Sequence, residues 1–339
     1  MGRLHEQYGP VVRIAPDEIT TISPSAWQDI YVAKPVLPKD PYSQTPPLNG
    51  AHSLFTAADD THRRIRATVI NGFSDKALRE QAPILEGYGD QLVARLQREK
   101  AKSADGVVDI QKFFGYATFD ISTDLSFGEC LANGLEGDNE HTWILGFFFH
   151  AKFGTIRNCL SRFSPLDILL GLFLLGVTRK NRLRNWALTT EKVERRLAKG
   201  DMTGVRSDFL SPVIGKVNEE GKKGITKKEL TTNGLAFVIA DCQLTTVALS
   251  TSTYLLLRDP PKLKALVEEL RSSFKSTEEI TVKATQDLPY LKAVIDETIR
   301  FHHPTPISLP RSVPPSGQTI DGQFIPGNVC FFCLFKFQI

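Results

Sequence analysis

A chain of 339 residues that is 41% hydrophobic can bury a large core, and a formal charge of +3 argues against nucleic acid as its main partner. Five scattered cysteines, at 130, 159, 242, 330 and 333, argue against a disulfide framework. No Gly/Ser tract, acidic tail or repeat divides the apolar pattern, so the chain reads as one domain.

Met1-Gly2-Arg3-Leu4 leads directly into polar sequence, without a signal peptide or membrane anchor. Val11 to Ala15 and Glu18 to Ser23 are β-rich runs joined by the turn signal Pro16-Asp17. Ser23 followed by Pro24 predicts a helix start, carried on through Trp27, Ile30 and Tyr31. Residues 34–50 hold five prolines and a glycine and read as a loop. Helical patterns then dominate from Asp59 to about residue 275. Within them, Pro165 to Val177 is apolar apart from Asp167 and falls short of the roughly 20 residues that span a bilayer. It predicts a buried helix, with an element lying on a membrane surface as the alternative. The densest basic cluster, Arg179-Lys180-Asn181-Arg182-Leu183-Arg184, reads as a solvated helix face.

Thr226-Lys227-Lys228-Glu229 is a capping box. The helix it starts is apolar on nearly all sides, from Leu235 to Ala240 and again at Leu244, Val247, Ala248 and Leu249. That pattern predicts a helix buried on every face. Asp259-Pro260 ends it and opens the next, which runs to Phe274. Leu288, Leu291, Val294, Ile295 and Thr298 keep helical spacing, and the chain turns extended after His303-Pro304. Asp321-Gly322, between Thr319-Ile320 and Phe324-Ile325, signals a hairpin. The fold class is therefore mostly α with a small β-sheet (α+β), the sheet drawn from both ends of the chain. Cys330 and Cys333 have C-x-x-C spacing, but no second pair or histidine pair follows, so no metal site is expected there.

The order of these motifs resembles the cytochrome P-450 family, the haem-thiolate monooxygenases, over residues 4–329 and looks closest to fungal members of secondary metabolism. Tyr8-Gly9-Pro10-Val11-Val12-Arg13-Ile14-Ala15-Pro16 resembles the entry into the family's first sheet. His62-Arg63-Arg64-Ile65-Arg66, followed by Phe73-Ser74, resembles the helix that binds a haem propionate, which implies His62 and Arg66 as donors. On its residues alone, that stretch reads as an exposed basic turn. Glu297-x-x-Arg300 is similar to the family's structural ion pair, and Pro310-Arg311 after it implies Arg311 as a third propionate donor. The long helix resembles the one that crosses above the haem. The family pattern there is Ala-Gly-x-Asp/Glu-Thr, whereas this chain reads Ala240-Asp241-Cys242-Gln243-Leu244-Thr245. Asp241, Gln243 and Thr245 are the candidates for proton delivery, with Thr245 or Thr246 serving if the helix bulges by one residue. Cys242 reads as a small core residue.

The resemblance implies haem as cofactor, electrons from NADPH through a separate flavoprotein reductase, and a small lipophilic substrate. It draws pocket residues from Pro46 to Phe55, Phe147 to Phe153, the Phe237 to Leu244 face and Thr305 to Leu309. A monomer is expected. The family's endoplasmic-reticulum setting is implied, modified for a chain with no anchor to a cytoplasmic or membrane-peripheral one. The cysteine loop of the family, Phe-x-x-Gly-x-Arg-x-Cys-x-Gly, is not in the sequence, so no residue is assigned to the iron. The expectation is a P-450-like fold incomplete at its C-terminus: residues 1–329 as a partial domain, and 330–339 as an atypical apolar tail read through from non-coding sequence. Such a chain is expected to be inactive. The alternatives are a non-catalytic remnant of the family and a helical protein that binds a hydrophobic ligand or partner.

Overall fold

The computed structural model describes residues 2–40, 49–130, 133–137, 156, 183–200, 207–220, 222–305 and 309–333. A short helix, α1 (Gly2–Tyr8), comes first, ahead of the strands that the sequence pattern starts with. Next are β1 (Val11–Ala15) and β2 (Glu18–Thr21), paired antiparallel. α2 (Pro24–Trp27) continues as a π turn to Val32. Ser23 does not cap it, because its hydroxyl pairs with Ser25 Oγ at 2.7 Å.

The helical body follows. α3 (Asp59–Val69) leads into α4 (Asp75–Lys102), which Ser74 caps through the amide of Ala77. α5 (Ile110–Phe127) is capped by Asp109 and ends at Gly128, whose φ of 70° lies in the left-handed region where glycine is favoured. Residues 183–198 form α6, and Ser211–Ile214 forms the single turn α7. α8 (Lys227–Arg258) carries the predicted capping box: Glu229 N donates to Thr226 Oγ1 at 3.2 Å, and Thr226 N donates to Glu229 Oε2 at 2.9 Å. α9 (Pro260–Ser273), α10 (Val282–Thr285) and α11 (Pro289–Phe301) are the last helices among the described residues.

The remaining strands are β3 (Arg311–Ser312), β4 (Gln318–Ile320), β5 (Gln323–Ile325) and β6 (Cys330–Cys333). β4 and β5 form the expected hairpin, with positive φ at both Asp321 and Gly322, as a type I′ turn needs. The main sheet has the order β1-β2-β6-β3, so both chain ends build it. Here the expectation of an unrelated tail from residue 330 needs correcting. Cys330–Cys333 is an inner strand, parallel to β2 and antiparallel to β3, and all four residues are buried. Its apolar, β-prone residues are what a strand covered on both faces requires. Residues 334–339 lie outside the described part of the chain, as do Pro165–Val177 and Arg179–Arg182, while Leu183 and Arg184 of the basic cluster are exposed.

The described residues form two hydrophobic cores. One lies against the sheet and includes Ile19, Ile30, Val313, Ile325 and Phe331. The larger packs α5 against α8 and includes Phe119, Phe127, Leu230, Phe237, Val238 and Cys242. Gly234 allows the close approach: a Cβ there would stand 2.9 Å from the Phe127 ring. The prediction that α8 is buried on all faces fails. Leu230, Asn233, Val238 and Cys242 are buried, but Ile239, Leu244, Leu249, Tyr254 and Leu257 are exposed.

Candidate functional site

His62 and Arg66 stand four residues apart on α3 and so share one face. Burial, and after it the positive charges of Lys39, Arg66 and Arg311, hold the His62 imidazole below its ordinary 6.5. Arg311, at the start of β3, is half-buried, and burial likewise lowers its affinity for a proton. Its Nε is buried without a hydrogen-bond partner, Nη1 reaches Leu37 O at 3.4 Å, and the guanidinium lies 5.6 Å above the Tyr31 ring. Lys39 donates to the carbonyls of Leu54, Phe55 and Ala57 at 3.1, 2.8 and 2.7 Å. Burial and then the charge of Arg311 push its pKa down to about 8.

Among the described residues none of these four basic groups forms an ion pair. Half-buried Lys39 and Arg311, with His62, the exposed Arg66 and an orphaned guanidinium N–H, make a donor set suited to an anion. A group with two carboxylates, such as haem, fits this donor set by charge and by the vacant N–H. His62, Arg66 and Arg311 are thus brought into one electrostatic cluster. Lys39 carries no motif and sits in a proline-rich loop; its β-bridge to Arg311 reveals it, and that pairing has no local sequence signal.

Arg64, between the two α3 donors, points elsewhere. It grips the Glu229 carboxylate through Nη2–Oε1 at 2.5 Å and Nη1–Oε2 at 3.1 Å, and reaches Gly224 O at 2.8 Å. The residue that caps α8 thereby also fastens α3. Asn233 extends the joint by accepting from Leu54 N at 2.7 Å.

On α8 the three proposed relay residues do not converge. The helix is unbroken from Lys227 to Arg258, so no bulge re-aims Thr245 or Thr246. Asp241 and Thr245 are one turn apart on a shared face, and Gln243 lies roughly opposite Asp241. Burial lifts the Asp241 carboxyl to about 6, which suits a group that exchanges a proton near neutrality. Thr245 is exposed, whereas Thr246 is buried and locked to Thr118 Oγ1 and Cys242 O, each at 2.7 Å. Gln243 is half-buried on the stripe it shares with Ala236, Ala240 and Val247.

Glu297 and Arg300 form a bidentate pair at 2.6 and 2.7 Å, but their side chains are 60% and 52% exposed. The pair borders a groove of about 840 Å³ between α8, α9 and α11, lined by Tyr254, Leu255, Tyr290, Val294 and Phe301. None of the expected pocket stretches lines it; of those, Pro46–Leu48, Phe147–Phe153 and Pro306–Ser308 lie outside the described residues. Burial pushes the Cys242 thiol up to about 11 and the Cys333 thiol up to about 12, the reverse of what a metal-bound thiolate needs. Among the described residues no group of three or more His, Cys, Asp or Glu could hold a metal ion.

The cytochrome P450 family model matches residues 1–335. Cytochrome P450 monooxygenase efuB of Hormonema carpetanum is 34% identical over 330 residues, covering 96% of this chain and 65% of that protein. Averantin hydroxylase of Dothistroma septosporum is 38% identical over 326 residues, covering 96% and 60%. Cytochrome P450 monooxygenase stcF of Emericella nidulans is 36% identical over 326 residues, covering 96% and 66%. The chain belongs to the cytochrome P450 family. It spans 60–66% of the length of these curated relatives.

Proposed function

We propose that this chain is the greater part of a fungal-type P450 monooxygenase domain that binds haem through His62, Arg66 and Arg311 and inserts one oxygen atom into a small lipophilic secondary metabolite. The observation that carries the reading is the cluster of basic groups His62, Arg66, Arg311 and Lys39 with the orphaned Nε of Arg311, in a chain of this family. Haem supplies an iron that binds and activates dioxygen, with electrons passed from NADPH by a separate reductase. The chain's own residues hold the two carboxylates. The apolar stripe of α8 excludes water, and Asp241, with its pKa near neutrality, is the better-placed proton donor of the three proposed on that helix. Thr245 lies one turn beyond it on the same face, and Gln243 lies on the opposite face. Glu297 and Arg300 serve to brace α11. A monomer at a membrane surface, as is common in the fungal family, fits the exposed apolar residues of α8 and α11.

In this reading the described thiols do not ligate the iron. A second reading, a non-catalytic protein that binds a hydrophobic ligand, draws on the same open face of α8. The test is the absorption spectrum of the purified chain with haemin, reduced and exposed to carbon monoxide. Bound haem without a red-shifted thiolate band is the expected result. A thiolate-type band overturns the statement that no described thiol ligates the iron, and failure to bind haemin overturns the haem site.

A further inference from the structure

We propose that Lys39 is a positioning residue: it ties the loop 49–58 to strand β3 and so sets the separation between Arg311 and the His62–Arg66 face of α3. The proposal rests on the reading that those three residues hold one dicarboxylate, although the joint itself does not depend on it. The backbone around Lys39 is laced to β3. Lys39 lies opposite Arg311 in an antiparallel bridge, Asp40 N donates to Pro310 O at 3.1 Å, and Ser312 N donates to Pro38 O at 2.9 Å. The side chain points the other way. Its ammonium has three donors, and three carbonyls of one turn accept them. That turn is closed by Ala57 N donating to Ser53 O at 2.7 Å and leads directly into α3, where His62 N donates to Ala58 O at 3.1 Å. On its far side the loop is pinned to α8 by Leu54 N on Asn233 Oδ1 and by Asn49 Nδ2 on Lys228 O at 2.9 Å. Lys39 thus closes the path α8–loop–β3, and His62 hangs from the middle of it.

Burial and then the charge of Arg311 on β3 disfavour the Lys39 ammonium, and burial, then Lys39 with Arg66 and Arg311, lowers the proton affinity of His62 on α3; the Asp40 carboxylate accepts from Ser312 Oγ at 3.5 Å. An ammonium with a lowered pKa makes the joint sensitive to alkali.

Hydrogen exchange on the full chain tests this. Lys39→Met keeps the stem and removes the donors, leaving three carbonyls unpaired. The amides of Ala57, His62 and Ser312 should exchange about tenfold faster, while those of Phe119 and Val238 hold their rates. In the parent chain, raising the pH from about 7 to about 9 should speed the same three amides beyond the intrinsic base effect, and Lys39→Met should abolish that excess. Unchanged rates at Ala57 and Ser312, or equal acceleration throughout α5 and α8, would overturn the proposal. Binding of protoporphyrin IX against its dimethyl ester separates the two ideas. A parent chain that does not prefer the diacid sinks the dicarboxylate site and leaves the joint standing on exchange. A diacid preference that survives Lys39→Met undiminished sinks the positioning role.

Discussion

The two sides of α8 differ more than its sequence suggests. Toward α5, Phe237, Val238, Cys242 and Thr246 are buried, the Thr118 and Thr246 hydroxyls meet at 2.7 Å, and Arg64 and Asn233 anchor the first turns. Elsewhere on the helix Ile239 and Leu244 are exposed, and farther along Tyr254 and Leu257 reach 56% and 65%. α11 repeats the pattern with Ile295, Ile299 and Phe301. Side chains of the same kind lie on both sides, so composition determines that the helix forms and wants cover, while the partner elements determine which side receives it. The closed side behaves as a protein interior, where unpaired polar groups are costly. The open side still behaves as a surface.

The largest effect expected from this contrast lies at the edge of the closed side. Arg196 and Asp208 form an ion pair with both side chains fully buried, at 2.7 Å from Nε to Oδ2. The same guanidinium reaches Gly200 O at 2.7 Å and Ser211 Oγ at 3.2 Å. Asp208→Ala strands a buried cation and also strips acceptors from the amides of Leu210 and Ser211. Urea unfolding should show a loss of about 3–5 kcal/mol. A loss below about 1 kcal/mol would mean that water reaches this pair and that the closed side is not closed.

A smaller effect separates the α3–α8 joint from both sides by pH. Burial alone would raise the Glu229 carboxyl; the Arg64 bond, with Thr226 N and then the Arg64 charge, outweighs it and holds the group below its ordinary 4.5. A carboxylate whose folded pKa is depressed stabilises the fold fully above its unfolded value and loses that contribution as pH falls through the folded value. Stability should therefore drop as the pH falls below about 4.5, and Glu229→Gln should be less stable near neutrality with a flatter acid limb. Parallel acid limbs in the two proteins would show that Arg64 does not hold Glu229 in solution.

Much of this architecture was legible in the sequence because it depends on local chemistry. The capping box at Thr226 and the Asp321-Gly322 turn need only short-range signals. Residues that depend on distant partners were less legible. Nothing near Cys330 announces that Thr20 and Arg311 will flank its strand, so an inner strand reads as a stray apolar tail. α1 is polar and short, and its helical form follows from packing against β1 rather than from periodicity. In the candidate site, family spacing pointed to His62, Arg66 and Arg311, but Lys39 was out of reach because its role comes from a pairing across more than half the chain. The α8 residues show the opposite limit. The motif order lines up Asp241, Gln243 and Thr245, yet a continuous helix turns consecutive residues to different faces.

The least effect is expected where the family motif is most recognisable. Glu297 and Arg300 are bonded in good geometry, but both are well exposed, and water can take over each partner's hydrogen bonds when the other is removed. Glu297→Gln should therefore leave the urea midpoint where it is, despite the motif. The outcome bears directly on the two sides of α8, because the pair borders the groove between α8, α9 and α11. If the midpoint falls clearly, as it should for Asp208→Ala, the pair is desolvated in solution and something covers the open side there. Repeating the measurement at lower protein concentration would then identify the cover: a second copy of the chain would make the loss depend on dilution. A midpoint that ignores both the substitution and the dilution leaves α11 as an exposed helix whose apolar residues face water.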